Sequence, residues 1–234
     1  MPLGITHTVL DPLSGAALVR DDILLPIAAD DDYFSSATAG GAQGGFVCAA
    51  SVLGDSVLLS AQAARPLFYA RVPSVTLTNA GGSLTPTATI RIEGKRFGKT
   101  VTQDVVCVAG SAVSGTKLID EITSAKFVAI TNMEANDTIK IGVDDSWLGL
   151  RAPIKSYRSV KMILKVAAGT PDASGPKMTS DLSTTLVKGG LDSGINMKSL
   201  YSSTAIAVTD RYLVEYSMDG APDFFPRTGK RLGG

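Results

Sequence analysis

Histidine, cysteine and tryptophan are nearly missing from this chain of 234 residues, which has one, two and one of them respectively. Any Ser-His-Asp or Cys-His relay would have to use His7, which lies in a breaker-rich segment far from both cysteines. A multi-histidine metal site is excluded by count. Cys48 and Cys107 form no CxxC pair, so neither a disulfide scaffold nor a zinc site is expected. Both read as small apolar residues in a reducing compartment. Aromatics make up 6% of the chain, too few to line a sugar-cleaving groove. A glycan-binding platform would have to come from Trp147 with Tyr157 or Tyr201. Lysine plus arginine number 22 and aspartate plus glutamate 22, so net charge gives no reason to expect a nucleic-acid or membrane partner. No apolar run approaches the roughly 20 residues that span a bilayer. No signal peptide is expected, because a basic segment followed by a continuous apolar one is not seen. The sequence reads as soluble, without enzymatic activity and without a cofactor or metal.

Charge is balanced overall but not along the chain. Residues 1–64 hold seven acids (Asp11, Asp21, Asp22, Asp30, Asp31, Asp32, Asp55) against Arg20, and the remainder holds 21 bases against 15 acids. The halves thus carry −6 and +6, a hint of attraction between them or between neighbouring copies.

Glycine is abundant, with 24 residues, and β-branched residues recur at every second position from Val72 onward. Val75 and Leu77 alternate with threonines, and Ala88, Ile90 and Ile92 alternate with Thr87, Thr89, Arg91 and Glu93. Val101, Val105 and Cys107 share a face opposite Thr100, Thr102, Asp104 and Val106. The same period marks 139–143, 160–166 and 212–218, with glycine- and asparagine-rich turns between. An all-β fold follows: an antiparallel β-sandwich or barrel-like core with an extended N-terminal arm and a C-terminal tail. The expected division is 1–64 as arm with edge strands and a Gly-rich loop, and 65–168 as the sandwich module. Residues 169–234 then form a loop, C-terminal strands and a tail that pack on the core. Short helices are expected at 118–123 or 181–188.

"GKRFGKT", residues 94–100, ends like a phosphate-binding loop. The required first glycine would be residue 93, which is Glu93, and the alternating stretch after Thr100 reads as a strand where a helix is needed. The stretch reads as a hairpin turn. Asp30-Asp31-Asp32 and Asp144-Asp145 lack the spaced geometry of a calcium loop, since consecutive side chains of an extended chain point apart, and read as solvated turns. The C-terminal "PDFFPRTGKRLGG" places Phe224, Phe225 and Arg227 between prolines and further bases. Aromatics and arginine anchor interfaces, so the expected partner contacts are Tyr33 and Phe34 in the arm, Phe46 after the Gly-rich loop, and Phe224, Phe225 and Arg227 in the tail.

The words "RPLFYARVPSVTLT", "ATIRIEGKRFGKTVTQDVV", "SGTKLIDEITSAKFVAI" and "DTIKIGVDDSWLGLRAP", between Arg65 and Pro153, resemble a module of tailed-bacteriophage virion proteins. The likeness is greatest to small capsid decoration, or cement, proteins, and rests on Gly94, Gly98, Gly115, Gly142 and Gly149. Lys95 and Arg96 stand where that module usually has an acid, Gln103 stands where it has glutamate, and Arg151-Ala152 intervenes before Pro153. The resemblance implies a non-enzymatic virion component made in the host cytoplasm and placed on the capsid surface. Its implied partners are the major capsid protein and other copies of itself, as a trimer or dimer. Tail, baseplate and head-fibre components share related modules and form the alternative.

Overall fold

A computed structural model describes residues 3–10, 17–24, 30–49, 51–65, 67, 69–149, 160–166, 182–183, 200–202 and 211–217. Its strands are β1 (Leu3–Leu10), β2 (Ala17–Leu24), β3 (Phe46–Val47), β4 (Arg71–Thr78), β5 (Thr87–Arg96), β6 (Lys99–Val108) and β7 (Ala112–Ser114). They continue as β8 (Glu121–Thr131), β9 (Thr138–Leu148), β10 (Val160–Val166), β11 (Leu182–Ser183), β12 (Leu200–Ser202) and β13 (Arg211–Ser217). All pairings between the described strands are antiparallel, and no helix occurs among the described residues. The fold is all-β, as the alternation predicts.

Two sheets enclose the main core. One is the three-stranded sheet β6-β5-β8, with β5 at its centre, and the other runs β11-β12-β9-β4-β7 with β3 added on β9. Their inward residues form one buried cluster, with Val75 and Leu77 of β4 and Ile139, Ile141 and Val143 of β9 on one side. Ile90 and Ile92 of β5, Val105 and Cys107 of β6, and Ile122 and Phe127 of β8 come from the other. Each large aliphatic or aromatic side chain so buried contributes about 1.5–3 kcal/mol, and the sandwich follows from the period-two pattern directly.

The strand β8 replaces the helix expected at 118–123. Leu118 and Ile119 are buried, Ile119 bridges to Arg71, and β8 starts at Glu121. Two bulges in its pairing with β5 explain the misleading spacing. Between Glu93 and Gly94 of β5, and again between Thr89 and Ile90, the register slips. An extra residue on one strand shifts the inward phase, so Ile122 and Ala125 both face the core at a spacing of three. That spacing resembles a helical one. Of the other helical stretch, 181–188, Leu182–Ser183 is strand, and the rest lies outside the described residues.

Residues 30–64, expected as part of the arm, give Phe34, Cys48, Val52, Val57 and Ala63 to the same core. They also close sheet edges. The Gly54 N–H bonds the Phe127 carbonyl, the Phe127 N–H bonds Asp55, and the Val57 N–H bonds Ala125, which covers β8. The Val143 N–H bonds Asp30 and the Phe34 N–H bonds Ile141, which covers β9 between β3 and β12.

A separate sheet of order β1-β2-β13-β10 joins the beginning of the chain to its end. Across its centre, Tyr216 Oη donates to the buried Asp21 carboxylate at 2.8 Å, and Arg20 pairs with Glu215 at 2.6 Å. A hydrogen bond satisfies the carboxylate that burial would otherwise penalise.

Candidate interaction surface

The hairpin between β5 and β6 answers the question raised by "GKRFGKT". Phe97 and Gly98 form its two-residue turn with φ of 52° and 73°. Positive values at both central positions give the mirror-image turn that matches strand twist. Glycine adopts this backbone freely, whereas Phe97 is held there by contacts. Its N–H donates to Asp120 Oδ2 at 2.7 Å, and the Arg96 guanidinium stacks 3.6 Å from the Phe97 ring centroid. Arg96 also donates to Asp120 Oδ1 at 3.0 Å. The strand β6 continues directly from the turn, so no helix N-terminus faces Lys99. The segment is a turn braced by one aspartate, and its geometry is not that of a phosphate-binding loop.

Of the expected contact residues, Phe34 is corrected by the structure. It is 0% exposed in the chain's own core, with the Tyr33 ring edge-on at 5.0 Å, and no partner reaches a side chain so enclosed. Tyr33 and Phe46 pack against that core while remaining half-buried, Phe46 with its ring 6.2 Å from Phe127. They therefore brace the sandwich and retain some accessible surface. Phe224, Phe225 and Arg227 lie outside the described residues. Trp147, the proposed platform residue, packs beside Ala70, Val72 and Leu118, although backbone register sets Tyr201 opposite it. Tyr157 also lies outside the described residues.

The three aspartates 30–32 are closer together than an extended chain allows. A turn gathers their carboxylate oxygens within 4.8 Å of one another, correcting the expectation that the side chains point apart. Lys140 answers part of the charge, 2.9 Å from Asp31 and 3.8 Å from Asp32. Partial burial, the Asp30 side-chain hydrogen bond and the neighbouring negative charge hold the Asp32 carboxyl above its usual range, against the pull of Lys140. A carboxyl raised by folding stabilises below its unfolded value, and that contribution is lost as pH rises through the folded one. Asp32→Asn is therefore expected to raise the melting temperature at neutral pH. The gain should shrink as pH falls and vanish below 3.8, which thermal melts across an acid series would reveal.

Burial pushes the Cys48 thiol up to about 12 and the Cys107 thiol up to about 11, so neither is a thiolate nucleophile at neutral pH. A cleft of about 450 Å³ opens between residues 59–64 and the start of β8, floored by Leu59, Ala63 and Ile122. Its carboxylate, Glu121, is held by Lys95 at 2.5 Å. The cleft offers an apolar surface without a paired acid and base.

Sequence reasoning missed the outer face of the β6-β5-β8 sheet. Val106 is 61% exposed, Val108 45% and Val128 37%. By register, Val106 lies beside Thr89 and Val108 beside Thr87 on β5, so the face is β-branched and uncharged at this end. The signal was present in "DVVCV", where valine occupies the polar phase of the alternation. Comparison of the chain with protein-family models, curated proteins and solved structures finds no match.

Proposed function

We propose that this chain is a non-enzymatic structural protein of a tailed-bacteriophage virion, acting as a decoration protein that binds the capsid surface and stabilises it through contacts between subunits. The observation that carries this reading is where the resembling words fall. Strands β4 to β9 run from Arg71 to Leu148, so the phage-like segments supply the strands of one sandwich. The glycines of the resemblance have structural work there. Gly98 makes the hairpin turn, and a Cβ at Gly94 would meet the Glu121 carbonyl at 2.3 Å. The framework thus belongs to a rigid scaffold for contact. Its partners on this reading are the major capsid protein and further copies of the chain, without nucleic acid or membrane.

Binding to assembled shells stabilises them by mass action. Purified protein is expected to sediment with expanded, undecorated capsids at micromolar concentration and to raise their melting temperature. Absence of association would remove the head assignment. Localisation to the tail by virion reconstruction would replace it with a baseplate or fibre role.

A further inference from the structure

The chain covers its long sheet edges unequally. Residues 54–57 bond along β8, and residues 30–34 bond along β9. Among the described strands, only β5 pairs with β6, so the outer edge of β6 receives none of them. Its register with β5 runs unbroken from Arg96↔Lys99 to Thr87↔Val108. In a hairpin closed by a two-residue turn, the closing pair exchanges both backbone bonds, and bonded pairs then alternate. Lys99, Val101, Gln103, Val105 and Cys107 therefore turn their N–H and C=O groups to β5. Thr100, Thr102, Asp104, Val106 and Val108 turn theirs outward. The Lys117 side chain confirms this phase by donating to the Thr102 carbonyl at 2.6 Å.

That contact closes one end of the edge. At the other end the chain turns, with the Ala109 N–H bonded to Pro86 and the Gly110 N–H to Leu77. Between them lie Asp104, Val106 and Val108, whose outward backbone groups have no partner among the described residues. This stretch has no proline, lysine or bulge, the usual guards of an exposed edge. Val106 and Val108 add apolar side chains to it.

We propose that this edge is a self-association site, at which β6 of a second copy pairs antiparallel about a two-fold axis through Val106. Unpaired backbone donors and acceptors at a strand's spacing are matched by another strand. The open stretch is centred on Val106, so a two-fold places Val106 opposite its copy and Asp104 opposite Val108. In that register every outward group of the three residues meets a partner. Like charges do not face each other, because Asp104 meets valine and stays held by Arg91 at 2.8 and 2.9 Å. The Lys117 contact lies beyond the end of the partner strand and needs no displacement. The result joins two three-stranded sheets into one continuous sheet, and the contact closes at two copies because it is isologous. The inference is independent of the virion reading, since its test contains no capsid.

Sedimentation equilibrium of the full chain at micromolar concentration is expected to give a dimer. In hydrogen exchange, the Asp104, Val106 and Val108 amides should be protected in the dimer and exchange freely on dilution. Val106→Pro removes an outward N–H and no bond to β5, so it should yield a folded monomer. Val106→Lys opposes two ammonium groups across the axis and should weaken association at least about tenfold. It provides the reading if the proline variant fails to fold. Leu84→Lys, at an exposed site off this edge, should leave the dimer intact. A wild-type monomer throughout the micromolar range overturns the proposal. So does a dimer that withstands Val106→Lys or leaves the three amides unprotected, and so does an open edge filled by a strand of a different protein while the chain stays monomeric.

Discussion

Phe34→Ala is expected to cost about 3–5 kcal/mol of folding stability, the range for truncating a fully enclosed aromatic. The ring is 0% exposed, contacts Tyr33 edge-on, and sits on a backbone whose N–H bonds the Ile141 carbonyl at 2.8 Å. Alanine would leave a cavity in the shared core, which such a tethered segment fills poorly. Denaturant unfolding measures the loss as a lower midpoint with an unchanged slope. A cost below about 1 kcal/mol, the level of an ordinary surface change, would return Phe34 to the list of partner contacts.

Gly142→Ala is expected to destabilise by about 3 kcal/mol, the upper part of the usual range for overpacking. A Cβ there would lie 1.8 Å from the Asp30 carbonyl oxygen and 2.5 Å from the Asp31 carbonyl carbon. Both are backbone atoms, so no rotamer relieves the clash. The segment has to lift from β9 and lose the bond from the Val143 N–H to Asp30, 2.7 Å in the native arrangement. Because that segment continues into Phe34, the two substitutions should be less than additive. A double-mutant cycle by denaturant unfolding is expected to show a coupling of at least about 0.5 kcal/mol. Strict additivity would mean that residues 30–34 do not move as a unit.

The main sandwich was legible because most of its strands keep one face inward throughout. Ile139, Ile141 and Val143 face the core without interruption, as do Val105 and Cys107. The strand β8 was illegible where bulges reset its phase, since the residue that a bulge inserts is set by the pairing with β5, which no local pattern records. Residues 30–64 escape the pattern for a related reason. Their backbone bonds go to β8, β9 and loops, so they lack a strand's period while still contributing Phe34, Val52 and Val57 to the interior. The hairpin turn was readable from the missing first glycine and the strand after Thr100. Its bracing by Asp120 joins residues over twenty positions apart and leaves no spacing to recognise. The expected contacts rest on residue type alone, and burial decides among them: enclosed for Phe34, partial for Tyr33 and Phe46.

The sheet that pairs β2 with β13 sets an order of events during synthesis. Arg20 and Glu215 are 195 positions apart, and so are Asp21 and Tyr216. The β5–β6 hairpin and β8 need only near neighbours, and contacts of short sequence separation form early. The first hairpin leaves the ribosome with one flank of β2 unmatched and must wait until β13 arrives to fill it. A nascent polypeptide halted before residue 211 therefore carries a ready template for mispairing, and the arrival of β13 ends that exposure.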